Sequence, residues 1–88
     1  MLEKILDKYY AKKLGEAIIG SLSQFYLEKY FVIAENKLKF YFNYCDIDKK
    51  LIHAKMLFSI PISNSLECLI HKKGQIIKEL RERIEKEF

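Results

Sequence analysis

A chain of 88 residues has room for one domain and buries only about 60–65% of its unfolded surface when it folds. Half of the residues are hydrophobic and 14% are aromatic, which excludes a disordered chain, and no apolar run approaches the roughly 20 residues of a membrane span. The net charge of +4 marks a small basic protein, although its lysines are spread along the whole chain. We therefore expect a single domain over residues 1–88, with a polyanion as one candidate partner.

The cysteines and the first residues indicate where the protein works. Cys45 and Cys68 lack the spacing of a disulfide framework, so reduced thiols in a cytoplasmic protein are expected. The first ten residues carry charge throughout and contain no apolar h-region, so we expect no signal peptide. The abundance of Lys and Glu fits a thermophilic source or an AT-rich genome, and composition does not separate the two.

The N-terminal segment predicts a helix from Leu2 to about Lys13. Its apolar residues follow helical spacing, and the expected buried stripe is Leu2, Ile5, Leu6 and Tyr9. Ala17, Ile18 and Leu22 could carry the same stripe onward, although Gly15 and Gly20 interrupt the pattern. The end of the helix therefore stays open between Lys13 and Lys29.

Residues 30–62 alternate between apolar and polar side chains, which predicts antiparallel strands that are buried on one face. The alternate apolar residues, which we expect to face the core, are Leu38, Phe40, Phe42, Tyr44, Ile52, Ala54, Met56, Phe58, Ile60 and Ile62. Glu35-Asn36 suits a tight hairpin, because Asn tolerates a positive φ. Pro61 marks the end of a strand or an edge position, since it lacks an N–H donor.

The C-terminal segment predicts a long helix. Asn64 and Glu67 have the spacing of a capping box, and the expected apolar stripe is Leu66, Leu69, Ile70, Ile77, Leu80 and Ile84. The order of elements predicts an α+β fold with an N-terminal helix, an antiparallel meander of two or three strands, and a long C-terminal helix packed on one face.

Within this segment, residues 70–78 resemble the I-G-x-x-G-x-x-I stretch of KH domains, in which a Gly-rich turn between two helices clamps nucleotides by their backbone. The matching positions are Ile70, Gly74 and Ile77, the variable ones are Lys72 and Lys73, and His71 replaces the first glycine. The resemblance implies a nucleic-acid contact at this turn. The alternative is one continuous helix in which Gly74 lets a neighbouring element come close.

The polar residues that alternate with the apolar ones along the strands predict a second contact surface for nucleic acid. If the last two strands pair across the connection at residues 45–50, five side chains should project together from the exposed face, namely Lys37, Lys39, Tyr41, His53 and Lys55. Exposed aromatic rings stack on bases and lysines neutralise phosphates, as in sheet platforms for single-stranded nucleic acid.

These patterns together predict a small non-enzymatic protein that binds RNA or DNA. The predicted nucleic-acid-binding residues are Lys37, Lys39, Tyr41, His53, Lys55, His71, Lys72, Lys73 and Lys78. The alternative is a homodimeric protein-binding adaptor or inhibitor that uses the exposed sheet face. Its basis is that Leu51 and Leu57 are expected on the solvent-exposed face, where apolar residues indicate an interface.

Signs of catalysis, metal binding or a cofactor are weak. Asp46 and Asp48 suit a turn, because Asp bonds its own backbone there. Cys68 and His71 form only one loose ligand pair, whereas zinc sites usually have two close pairs. We predict no catalytic residue, no metal ligand, no cofactor and no small-molecule substrate.

Overall fold

The structure is a computed structural model that describes residues 2–25, 28–46 and 51–87. Helix α1 (Leu2–Gly20) is followed by strands β1 (Glu28–Ala34), β2 (Lys37–Asp46) and β3 (Leu51–Pro61). A continuous helical run, residues 62–87, then forms what we call the C-terminal helix; its longest α-helical part is Lys73–Glu87. The predicted α+β fold is confirmed. Within the described residues, no helix combines the length and apolar character needed to cross a membrane.

The three strands form one antiparallel sheet in the order β1-β2-β3, which is the predicted meander. β1 and β2 are joined by a two-residue turn at Glu35 and Asn36, with φ values of 57° and 60°. Two consecutive positive φ angles are the mark of a type I′ hairpin turn, whose twist matches that of the strands. Pro61 is the last residue of β3, as expected for a residue without an N–H donor.

Both helices pack on the same face of the sheet, which we call the inner face. Phe31, Phe40 and Phe58 lie side by side across the three strands. The Phe31 ring lies against Gly15 of α1, and the Phe58 ring lies under the Arg83 guanidinium of the C-terminal helix, 5.8 Å from its centroid. The opposite face, the outer face, carries no helix among the described residues.

Helix α1 is longer than its first stripe predicts, and of the residues that could continue this stripe it buries Ile18. It continues through Gly15 to Gly20, and its buried side is formed by Ala11, Leu14, Gly15 and Ile18. The predicted stripe is wrong for Ile5, Leu6 and Tyr9, which are exposed. Apolar residues occur on several sides of this helix, so spacing alone does not determine which side faces the sheet.

The C-terminal helix begins earlier than the predicted capping box. A 3₁₀ turn (Ile62–Asn64) precedes the α-helical turn at Ser65, and the Asn64 side chain makes no capping hydrogen bond. A π turn then spans Cys68–Lys72. Each residue of this wider turn advances the helix by less than the about 100° of an α-helix, which rotates the preceding residues relative to the rest of the helix.

The predicted stripe of this helix is correct in its second half, where Leu80 and Ile84 are buried. It is wrong for Leu66 and Ile70, which the π turn leaves exposed, whereas Cys68 is buried. Gly74 lies inside the α-helical part, and a Cβ atom added to it would meet no neighbouring atom within 4 Å. The chain therefore forms the continuous helix of the alternative and not the KH-type turn, but without the expected close approach at Gly74.

Some expectations fall on parts of the chain that are not described. They concern the side chains of Leu2, Tyr44, Cys45, Asp46 and Leu51, and the whole of Asp48, which lie outside the described residues. The backbone pairing of residues 44–46 with β3 is described and is used below.

Candidate interaction surfaces

The predicted sheet platform does not form, because its five residues lie on two different faces. Cross-strand partners share a face of an antiparallel sheet. Tyr41 pairs with Met56 on the outer face, whereas Lys55 pairs with Phe42, which is fully buried in the core. His53, two residues before Lys55, is on that same inner side. Lys37, Lys39 and Tyr41 are therefore separated by the thickness of the sheet from His53 and Lys55.

A β-bulge in β3 causes this separation. Phe40 pairs with Phe58, but its neighbour Tyr41 pairs with Met56, so Leu57 is an extra residue without a partner. A bulge inverts the faces of the residues beyond it, because side chains alternate with a period of two. The alternation predicts Leu57 on the solvent-exposed face, but Leu57 is buried. The opposite holds for three residues that it predicts to be buried and that are exposed, namely Ile52, Ala54 and Met56.

The outer face therefore carries an apolar row across its middle. Tyr30, Tyr41 and Met56 are consecutive cross-strand neighbours. The two tyrosine rings are stacked, with centroids 5.5 Å apart and an interplanar angle of 12°, and Met56 is 49% exposed. Val32 (38%) extends the row toward one end of the sheet and Ile52 (75%) toward the other. Sequence patterning misses this surface, although the adjacent apolar residues at 56–58 are a sign of broken alternation.

Charged residues on the outer face are sorted to its two ends. Lys37 and Lys39 lie at the end next to the Glu35-Asn36 turn, and the Lys39 ammonium is 3.3 Å from the Glu35 carboxylate. At the other end of β1, the Glu28 carboxylate accepts a hydrogen bond of 3.0 Å from the Asn43 amide. The outer face is thus basic at one end, acidic at the other and apolar between them.

The remaining predicted residues lie on the C-terminal helix. His71, Lys72, Lys73 and Lys78 are all exposed there, and the Lys72 ammonium is 3.7 Å from the Glu67 carboxylate. These side chains are on the helix layer, which packs against the inner face, so they do not join Tyr41 in one surface. We call Lys72, Lys73 and Lys78 the helix lysines; Lys73 and Lys78 lie roughly 140° apart around the helix axis.

Among the side chains that the structure describes, the one thiol is that of Cys68, which is buried. Burial raises the pKa of this thiol, while nearby Lys72 lowers it and Glu67 raises it. A neutral buried thiol is a poor nucleophile, because the thiolate is the reactive form. Among the described residues, no three His, Cys, Asp or Glu side chains cluster closely enough to hold a metal ion.

Comparison with known proteins gives no match: no protein-family model, no curated protein and no solved structure is similar to this chain. Function is therefore inferred from the surfaces described above. The outer face and the helix lysines are the two that bear on the predicted functions.

Proposed function

We propose that the protein is a non-enzymatic protein-binding module that acts as a homodimer joined through its outer face. The observation that carries this proposal is the row Tyr30–Tyr41–Met56, flanked by Val32 and Ile52, on a sheet face without a covering layer among the described residues. A contiguous exposed apolar surface with a polar rim is typical of a protein interface. The composition agrees, since aromatic residues and Met are enriched in interfaces and Lys and Glu are depleted at their centres.

A second copy of the chain fits this face because the face is complementary to itself. Two sheets that pack face to face keep their strands within about 30° of each other. The two-fold axis must then lie between the sheets, either along the strands or across them. A two-fold axis parallel to the strands would place Lys37 and Lys39 of one copy opposite Lys37 and Lys39 of the other. A two-fold axis perpendicular to the strands places them opposite the end of the partner copy's sheet that carries Glu28.

The charges therefore select the second arrangement. Like charges placed opposite each other disfavour an interface, whereas complementary ends fix its register. In this dimer, each Lys37 lies near the partner copy's acidic end, and the Tyr30–Tyr41–Met56 rows meet at the centre. The face is three strands wide, or roughly 15 Å, which places it at the small end of interface sizes. We expect a dissociation constant on the order of micromolar rather than a permanent dimer.

The dimer is tested by sedimentation equilibrium of the wild type and of two matched variants. Ile52→Lys places a charge at the end of the apolar row that faces the partner copy's Lys37, so the dimer should weaken by at least about tenfold, or 1.4 kcal/mol. Ile70→Lys is the control, because Ile70 is 63% exposed but lies on the C-terminal helix; its dimer should be unchanged. A wild-type protein that stays monomeric at about 100 times the expected micromolar dissociation constant would refute the proposal.

The orientation of the dimer is tested by exchanging its charges. Glu28→Lys and Lys37→Glu should each weaken association, since each places like charges opposite each other. The double variant restores complementarity and should recover most of the loss. If the double variant instead has the lowest dimer affinity of the three variants, the two-fold axis does not run across the strands.

Nucleic-acid binding is the second candidate function, and the helix lysines are the observation that favours it. Four of the predicted residues, His71, Lys72, Lys73 and Lys78, remain exposed on one helix. Fluorescence anisotropy with labelled RNA and DNA across a salt series tests this candidate, since log affinity falls by about 0.9 per phosphate contact on duplex DNA and about 0.7 on single strands. Lys73→Glu with Lys78→Glu should weaken binding, whereas Lys37→Glu should not. No binding at low salt would eliminate this candidate.

A further inference from the structure

A groove runs between the edge strand β3 and the C-terminal helix. It consists of two adjacent hollows of about 270 and 200 Å³. The first lies between Phe58 and Ile60 of β3 and the helix around Cys68 and Ile76. The second lies between residues 55–57 of β3 and the last turns of the helix. We call the two hollows together the β3 groove.

The backbone of β3 forms one wall of this groove. In the sheet order β1-β2-β3, β3 has a neighbouring strand on one side only, and no other described strand pairs with its second edge. An edge strand presents N–H and C=O groups that can pair with an added chain. Residues 55–60 run along the groove and span roughly 20 Å at about 3.3 Å per residue, so an extended segment of about six residues fits along them. Within this stretch the Leu57 carbonyl already accepts a hydrogen bond from Arg83, so the segment pairs with the remaining backbone groups.

The side chains of the groove indicate the chemistry of such a segment. The first hollow has an apolar floor formed by Phe58, Ile60 and Ile76, with Lys72 and Glu79 at its rim. The second is lined by three cations, Lys55, Arg83 and Lys86, and by no described carboxylate. The cations outnumber the single carboxylate along the groove, which favours a negatively charged occupant with apolar side chains at alternate positions.

We propose that the β3 groove binds an extended acidic peptide segment of a partner protein, which pairs with β3 as a fourth strand. Main-chain hydrogen bonds to β3 supply part of the affinity, and the apolar floor and cationic end select the side chains. The acidic residues of the segment lie at the end lined by Lys55, Arg83 and Lys86. The groove shares Met56 with the outer face, but its other lining residues lie along β3 and on the C-terminal helix, so peptide binding does not require the dimer proposed above.

The site is tested by fluorescence anisotropy with three labelled octapeptides: alternating Val and Glu, alternating Val and Lys, and the Val/Glu peptide with two central residues replaced by Pro. Only the first should bind well. The Val/Lys peptide carries the wrong charge, and the Pro peptide lacks the two central N–H donors, so each should bind more weakly by at least about tenfold. Equal binding of the Pro peptide would overturn strand addition, and equal binding of the Val/Lys peptide would overturn the charge assignment.

Two variants locate the site on the protein. Lys86→Glu reverses a charge in the second hollow and should weaken Val/Glu binding by about fivefold, the magnitude of one exposed ion pair. Lys78→Glu is the matched control, because it makes the same charge change on the same helix but lines neither hollow. Equal losses in the two variants would mean that the peptide binds by net charge alone, which overturns the proposal.

A backbone measurement separates this site from the dimer interface. Binding of the Val/Glu peptide should shift the amide NMR signals of residues 55–60 and slow their hydrogen exchange. Ile52→Lys, the variant designed to weaken the dimer, changes a residue that lines neither hollow and should bind the peptide as well as the wild type does. Loss of binding in Ile52→Lys, or shifts confined to β1, would overturn the assignment to the β3 groove and leave the proposed dimer untouched.

Discussion

At the scale of single residues, Gly15 has a packing role that helix propensity opposes. A Cβ atom placed on Gly15 would lie 2.7–2.8 Å from three atoms of the Phe31 ring, whereas one on Gly74 meets nothing within 4 Å. Replacing Gly by Ala in a helix gains about 1 kcal/mol from propensity, but overpacking costs about 1–3 kcal/mol. We therefore expect Gly15→Ala to reduce the free energy of unfolding by up to about 2 kcal/mol, and Gly74→Ala to raise it by about 1 kcal/mol.

Urea unfolding of the two variants measures this difference directly, and the slope with denaturant should be unchanged in both. Adding Phe31→Leu to Gly15→Ala should recover part of the loss, because a smaller side chain leaves room for the new methyl group. Equal gains in stability at Gly15 and Gly74 would show that the Phe31 ring can move away at little cost.

Features at the residue scale differ in whether they can be predicted from the sequence. The turn at Glu35 and Asn36 is predictable, since its positive φ values are a property of two adjacent residues. The contact between Gly15 and Phe31 is not predictable, because it joins residues far apart in the chain. The sequence alone therefore indicates Gly15 only as a helix end or a weak point of the helix, which is the usual meaning of a glycine in such a pattern.

At the scale of elements, the bulge at Leu57 explains why the strands are predicted correctly and the face of β3 is not. Alternation fixes the existence of a strand, but one extra residue exchanges the two faces beyond it. The consecutive apolar residues Met56, Leu57 and Phe58 are the local sign of this exchange. The π turn at Cys68–Lys72 has the same effect on a helix, since it turns the predicted stripe at Leu66 and Ile70 toward solvent.

The bulge is held by Arg83. Its guanidinium donates a hydrogen bond to the Leu57 carbonyl and lies over the Phe58 ring. Arg83→Met would leave that partly buried carbonyl without this donor, so we expect a loss of about 1–3 kcal/mol in the free energy of unfolding. Arg81→Met is the control: Arg81 also donates to a carbonyl, that of Ser21 at 3.3 Å, but this hydrogen bond is exposed.

Arg81→Met should therefore cost less than about 0.5 kcal/mol. Hydrogen exchange at Leu57 and Phe58 provides a second measurement, because loosening of the bulge should speed exchange there before it affects β1. If both Arg variants lose the same stability, the contact of Arg83 with the bulge is not what stabilises this part of the sheet.

At the scale of the whole molecule, the chain forms a sheet layer and a helix layer, and the sequence predicts these layers but not which residues share a surface. The fold class follows from the order of the periodic segments, which is a local property. The predicted platform requires two strands to present their polar residues on the same face, and this depends on the register past Leu57. The resulting outer face is apolar at its centre, and the predicted cations are divided among its basic end, the inner face and the helix layer.

A dimer formed through that outer face should make the stability of the protein depend on its concentration. Association stabilises the folded chain by mass action; for a micromolar dimer, raising the concentration from about 5 to about 500 μM adds about 1 kcal/mol per subunit, which corresponds to roughly 4–8 °C in Tm for a domain of this size. Differential scanning calorimetry should show this rise for the wild type and for Ile70→Lys. Ile52→Lys should show this rise only at concentrations at least about tenfold higher, because its dimer is weaker by that factor. A rise in Tm that begins at the same concentration in Ile52→Lys as in the wild type would place the contact between copies away from the outer face.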